Sequence, residues 1–171
     1  MTSAELILAA VTLQRAGELV LSSFNTRKLL ARGAVEVASR HYPLIVAVHA
    51  AWLISLWMLG HDQPVNIVAL LLYLVLQGVR LWVMWTLGAR WTTRIIVVPR
   101  RPLVVAGPYR LLLHPNYAVV AGEIAMLPLV LGLPLLAAVF TILNAAVLAI
   151  RIDAENRALA ASRETVLRDA Q

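Results

Sequence analysis

The chain has 171 residues, 61% of them hydrophobic and 14% charged, with 15 Lys or Arg against 9 Asp or Glu. A soluble domain carries about a quarter charged residues, and a disordered chain is poorer still in apolar ones, so a mean hydropathy of +0.80 places this chain in a bilayer. It contains no cysteine, which excludes disulfides, thiolate metal sites and a cysteine nucleophile.

Five apolar stretches predict helices over residues 4–24, 42–60, 64–88, 117–131 and 134–160. Together they describe an all-α integral membrane protein with a single domain over 1–171. The first stretch is interrupted by Arg15 and Glu18. It has no basic lead-in and no small-residue cleavage site, so it reads as a retained helix rather than a cleaved signal. The second and third, at 1.5 Å per residue, are long enough for a hydrocarbon core of about 30 Å. Trp82, Trp85 and Trp91 follow where the third should leave the membrane; interfacial anchoring is their expected role, with substrate stacking as the alternative. The fourth is short, and Gly132-Leu133-Pro134 alone separates it from the fifth, which predicts a tight helical hairpin.

Charge sets the expected orientation. Arg27, Lys28, Arg32 and Arg40 lie between the first two stretches, and Arg90, Arg94, Arg100, Arg101 and Arg110 between the third and fourth. Arg151, Arg157, Arg163 and Arg168 come after Ile150, where the apolar part of the fifth ends, whereas the turns at 60–63 and 132–134 hold no Lys or Arg. Basic residues collect on the cytoplasmic side of membrane proteins. The pattern therefore puts the N-terminus outside and the C-terminus inside, and it accounts for a pI near 10.8 without nucleic acid.

Several chemistries are excluded or disfavoured. The chain has no G-x-G-x-x-G and no P-loop, and no serine stands in a nucleophile-elbow context. His41, His49, His61 and His114 are scattered, away from any metal-ligand spacing. What remains is concentrated in the last third of the chain. Pro115 suits the first position of a helix capped near His114, and free N–H groups there can receive an anion; plain capping is the alternative. Asn144, Arg151 and Glu155 project from one face of a continued fifth helix, in line with Ser162. They can grip a polar ligand, or Arg151 and Glu155 can form a solvated pair. Arg15, Glu18 and Ser22 share a face of the first helix, Tyr73, Gln77 and Arg80 a face of the third, and Glu123 lies about two turns into the fourth. Such intramembrane groups need partners or a cavity. They either hold the bundle together or line a head-group pocket.

Gly107-Pro108-Tyr109-Arg110, His114-Pro115-Asn116-Tyr117, Glu123, the hairpin and Arg151-Ile152-Asp153-Ala154-Glu155 followed by Leu159 resemble the isoprenylcysteine carboxyl methyltransferase family. Arg15-Ala16-Gly17-Glu18, Asn25, Arg32-Gly33-Ala34-Val35-Glu36 and Arg90-Trp91-Thr92-Thr93-Arg94 are similar to its small prokaryotic members. The likeness covers nearly the whole chain and is most specific over residues 114–155. It implies an enzyme of the bacterial cytoplasmic membrane that uses S-adenosylmethionine, held on the cytoplasmic C-terminal side, with a lipid acceptor entering from the bilayer. His114, Tyr117 and Glu155 match residues that help enclose the cofactor. Tyr109, Arg110, Pro115, Asn116 and Asn144 complete the expected cofactor group, with Arg151 and Glu123 as catalytic candidates. Arg15, Glu18, Tyr73, Gln77 and Arg80 are the expected substrate contacts. The chain departs from the family pattern at Leu113, usually Arg, and at Asn156, usually Glu.

The expected reaction is O-methylation of a prenylcysteine-type carboxylate or of the hydroxyl of an alkyl-phenol or alkylpyrone lipid, without a metal. Phospholipid N-methylation, an NADPH-dependent sterol-reductase-like activity and a non-enzymatic membrane subunit are the alternatives. Gly122-Glu123 stand at the wrong offset from Tyr117 for the reductase pattern.

Overall fold

The computed structural model describes residues 1–99 and 104–169, and for Leu159 and residues 161–169 the helical backbone alone. Arg100 and Arg101 lie outside the described residues, as do the side chains of Leu159, Ser162, Arg163 and Arg168. The chain is mostly helical: α1 (Ser3–Leu30), α2 (Tyr42–Gly60), α3 (Ile67–Leu87), α4 (Pro115–Val130) and α5 (Pro134–Asp169). Four helical segments, Ser3–Leu30, Ser39–Gly60, Ile67–Arg90 and Pro134–Ala158, are long and apolar enough to cross a membrane. Their outer faces expose Leu13, Val20, Phe24, Ile54, Leu72, Val75 and Ile142, as expected of helices whose solvent is lipid.

One end of the bundle is built by caps and turns. Thr2 and Glu5 form a capping box at the start of α1, and Thr2 Oγ1 donates to His61 O at 2.6 Å, tying α1 to the α2–α3 turn. Asn66 caps α3 by accepting from Ala69 N, while its own N–H donates to Val130 O at 2.8 Å. Pro128 near the end of α4 and Gly132 at φ +66 turn the chain into α5, giving the expected hairpin. Leu8, Trp52, Leu56, Ile124, Leu127 and Phe140 belong to the core of this half.

The opposite, basic end departs from the expected pattern in two ways. First, α1 runs to Leu30 rather than ending near Phe24. Its polar extension persists because Asn25, Thr26 and Leu29 are buried, with Asn25 Nδ2 donating to Trp91 O at 2.9 Å. Second, two loops join as an antiparallel ribbon, β1 (Val35–Val37) with β2 (Ile95–Val97), in the register Val35–Val97, Glu36–Ile96, Val37–Ile95. Strands of three residues are too short to show a period of two, so the helical patterning did not reveal them. The ribbon is braced by Arg94 Nη1 donating to Glu36 at 2.8 Å, with the guanidinium 4.5 Å from the Tyr42 ring centroid.

Candidate active site

The site begins at the start of α4. His114 is the N-cap and Pro115 takes the first turn, where its missing N–H costs nothing. The His114 ring stacks on Tyr117, with centroids 5.4 Å apart and planes 24° from parallel. Tyr117 then reaches α5: its hydroxyl donates to Glu155 Oε2 and accepts from Arg151 Nε at 2.9 Å. Arg151 and Glu155 stand one turn apart on α5, so a single phenol oxygen bridges cation and carboxylate. Arg151 Nη2 also donates to Thr93 O at 2.6 Å. His114 Nε2 lies 3.2 Å from Asn156 Oδ1 and its Nδ1 3.8 Å from Glu155. His114, Tyr117 and Glu155 thus form one cluster.

Thr93 is fixed from three helices. Its N–H donates to Ser22 Oγ of α1 at 2.8 Å, and its hydroxyl lies 2.7 Å from Ser22 Oγ and 3.2 Å from the Tyr42 hydroxyl of α2. The carbonyl that receives Arg151 of α5 is therefore held rigidly. Nearby, Gly107 at φ +52 packs against α3, where an added Cβ would lie 2.5 Å from Thr86 Oγ1. Glycine alone fits there. The turn it opens carries Tyr109, whose phenol is pushed up to about 12 by burial, with Glu155 adding to the effect.

Deeper in the bundle, Arg15, Glu18, Arg80 and Glu123 form a closed ring of ion pairs. Arg80 Nε and Nη2 meet the two oxygens of Glu18 at 2.5 Å each, and its Nη1 meets Glu123 at 2.7 Å. Arg15 spans the same carboxylates at 3.0 and 2.9 Å. Gln77 donates to Glu123 Oε1 at 2.7 Å, and Gln14 donates to Glu18 and Gln77. Two cations and two anions balance, and apart from Arg15 Nε their polar atoms are satisfied, the condition for burying charge away from water.

Between this ring and the Tyr117–Arg151 cluster lies a cavity of about 290 Å³, near the lower end of the roughly 300–1,000 Å³ usual for small-molecule sites. Ile45, Val46, Leu53, Val120, Ile124 and Leu148 supply apolar wall; Arg15, Glu18, Arg80, Glu123, Asn116, Tyr117 and Arg151 supply polar groups.

A family model, Isoprenylcysteine carboxyl methyltransferase (ICMT) family, matches residues 68–161, the part of the chain that holds α4, most of α5 and the cluster. The chain belongs to this family. An uncharacterized protein of Bacillus subtilis (strain 168), YpbQ, is 40% identical over 161 residues, which is 90% of this chain and 95% of that protein. This agrees with the small prokaryotic members of the family. No solved structure matches the chain. Membership implies a methyltransferase that works in a membrane.

Not every residue expected at the site lines the cavity. Tyr109, His114, Pro115 and Glu155 are not among its lining residues, though His114 and Glu155 adjoin it by touching Tyr117; Arg110 is exposed, and Asn144 is buried elsewhere along α5. Tyr73 and Gln77 lie outside the cavity lining: Gln77 supports Glu123, and the Tyr73 hydroxyl is buried with no hydrogen-bond partner among the described residues. Arg151 is itself buried and bonded to Tyr117, so the solvated-pair alternative for it and Glu155 does not hold. Trp91 corrects the anchoring expectation. Trp82 and Trp85 are 48% and 90% exposed, but Trp91 is 2% exposed and forms part of the cavity wall. Tyr42, His49, Trp91 and Thr93 are wall residues absent from the expected site. The signal for His49 was present: it is an ionisable residue inside an otherwise uncharged span. Asn156, which stands where the family usually has Glu, keeps an acceptor beside His114.

Proposed function

We propose that the chain is an S-adenosylmethionine-dependent O-methyltransferase of the bacterial cytoplasmic membrane. In this reading it is a single domain crossing five times, with its N-terminus outside and its site on the cytoplasmic side. The acceptor is an amphiphile that enters from the bilayer, bearing a prenylcysteine-type carboxylate or an alkyl-phenol or alkylpyrone hydroxyl. The observation that carries this reading is the junction of the Tyr117–Arg151–Glu155 cluster with an apolar-walled cavity inside a bundle coated with lipid-facing side chains.

The residues present suit the cofactor. Among the described residues, Trp91 Nε1 and Asn116 Oδ1 are buried without hydrogen-bond partners, and both residues line the cavity. A donor and an acceptor left unmade there cost stability unless a ligand meets them. Glu155, with His114 and Tyr109 beside it, is placed to accept hydrogen bonds from a ribose diol or an amine. When bound, S-adenosylmethionine supplies a methyl group on a sulfonium, and its transfer to oxygen discharges that cation.

This chain's part is alignment and electrostatics. Arg151, aimed by Thr93 O and Tyr117, offsets negative charge on an acceptor oxygen. Glu123 holds Arg15 and Arg80 in place, and the apolar walls exclude water. Incubating the purified protein with methyl-labelled cofactor and a lipid extract should label an O-methyl lipid. Amine acceptors and NADPH serve as the competing arms. A folded preparation that binds no cofactor and labels no lipid would refute the reading.

A further inference from the structure

Within α2 the ionisable residues are Tyr42 and His49, and both line the cavity. The other α2 residues there include Ile45, Val46 and Leu53, at the three- and four-residue spacing of one helix face. An ionisable group on a membrane helix marks a site or pathway by default. His49 belongs to neither of the two clusters described above.

Its protonation pattern is set by its own helix. His49 Nδ1 lies 2.9 Å from Ile45 O. A carbonyl oxygen can only accept, so Nδ1 carries the proton and the neutral ring keeps its lone pair on Nε2. Nε2 makes no hydrogen bond among the described residues. The other basic oxygens on the wall are engaged: Glu18 and Glu123 by guanidinium and amide groups. Tyr42 is held at Thr93.

We infer that His49 is the general base that ionises a hydroxyl acceptor in place, an inference that rests on the O-methyltransferase reading above. The O–H proton passes to His49 Nε2 and the electron pair stays on the acceptor oxygen. That oxygen forms the new C–O bond as the donor's C–S bond breaks. The imidazolium then returns its proton to water when the products leave. Arg151, whose direct hydrogen bonds go to the neutral oxygens of Tyr117 and Thr93, supplies the countercharge. A carboxylate acceptor is already ionised and needs no base. The geometry therefore favours a weakly acidic phenolic or enolic hydroxyl on an apolar tail.

The test uses the full chain in detergent without cofactor and a long-chain 4-alkyl-2-nitrophenol, whose visible band reports its phenolate. At a pH below the free probe's ionisation, bound probe should show the phenolate band with the wild type. With His49→Gln it should bind within about threefold and remain a phenol, and hydroxyl methylation should fall about 100-fold. His49→Asn, whose amide can keep the Ile45 hydrogen bond, should behave the same way and controls for a folding defect. An equal phenolate band in the folded variants, or unchanged methylation, overturns the role of His49. A wild type that binds cofactor and methylates a carboxylate lipid but leaves the probe a phenol also overturns it while sparing the parent reading. No transfer to any lipid and no cofactor binding overturns both.

Discussion

Arg80 and Glu18 meet through two parallel hydrogen bonds of 2.5 Å, Nε to one carboxylate oxygen and Nη2 to the other, joining α3 to α1 inside the bundle. Arg80→Met would leave two buried carboxylates facing Arg15 alone. Breaking one partner of a buried pair costs about 3–5 kcal/mol, which should appear as a marked fall in Tm in detergent. Arg80→Met combined with Glu18→Met should lose less than the two single variants together. Strict additivity would contradict the pairing.

Tyr117 joins the two charged residues of its cluster, since its hydroxyl serves Arg151 and Glu155 at once. Tyr117→Phe keeps the His114 stack and removes that bridge. Leaving buried polar groups unpaired costs about 1–3 kcal/mol, or about 10- to 100-fold in affinity. Calorimetric titration with S-adenosylhomocysteine should show that weakening; unchanged affinity would remove Tyr117 from the cofactor group.

Ser22 and Thr26 lie one turn apart on α1, both buried, with opposite roles. Ser22 anchors Thr93, whose carbonyl aims Arg151, so Ser22→Ala should lower kcat about tenfold while KM moves little. The Thr26 hydroxyl has no hydrogen-bond partner among the described residues, and Thr26→Val should be neutral or stabilising by up to about 1 kcal/mol. Methyl-transfer kinetics and thermal unfolding on both variants check the contrast.

Tyr109 links stability to alkaline pH. Burial, then Glu155, raises its folded pKa to about 12 from an ordinary 10.0. Between those values the folded state holds more protons than the unfolded one, so stability falls as pH rises through that window and is unaffected below it. Tyr109→Phe should flatten part of that slope in denaturant titrations taken from pH 9 upward. An identical slope would show that the phenol is not sheltered.

The helical patterning was legible because lipid leaves little choice: each span must bond its own backbone and present apolar side chains outward. α2 runs over the expected residues, and α5 begins where Pro134 follows the turn. Helical spacing put Arg151 and Glu155 on one face of α5, but only the resemblance to the family grouped His114 and Tyr117 with Glu155. Trp91 was misplaced because an indole in the sequence looks alike whether it anchors an interface or closes a cavity.

Composition, charge asymmetry and local spacing by themselves determined a membrane bundle with a polar site at its basic end, since hydropathy and helix periodicity are properties of contiguous residues. Only the tertiary structure decided that Arg15, Glu18, Arg80 and Glu123 close into one neutral ring. It alone showed that Arg151 donates to the Thr93 carbonyl and that His49, its Nδ1 held by Ile45 O, lines the same cavity. These contacts join residues tens of positions apart. They depend on how helices rotate and dock against one another, which no single segment encodes.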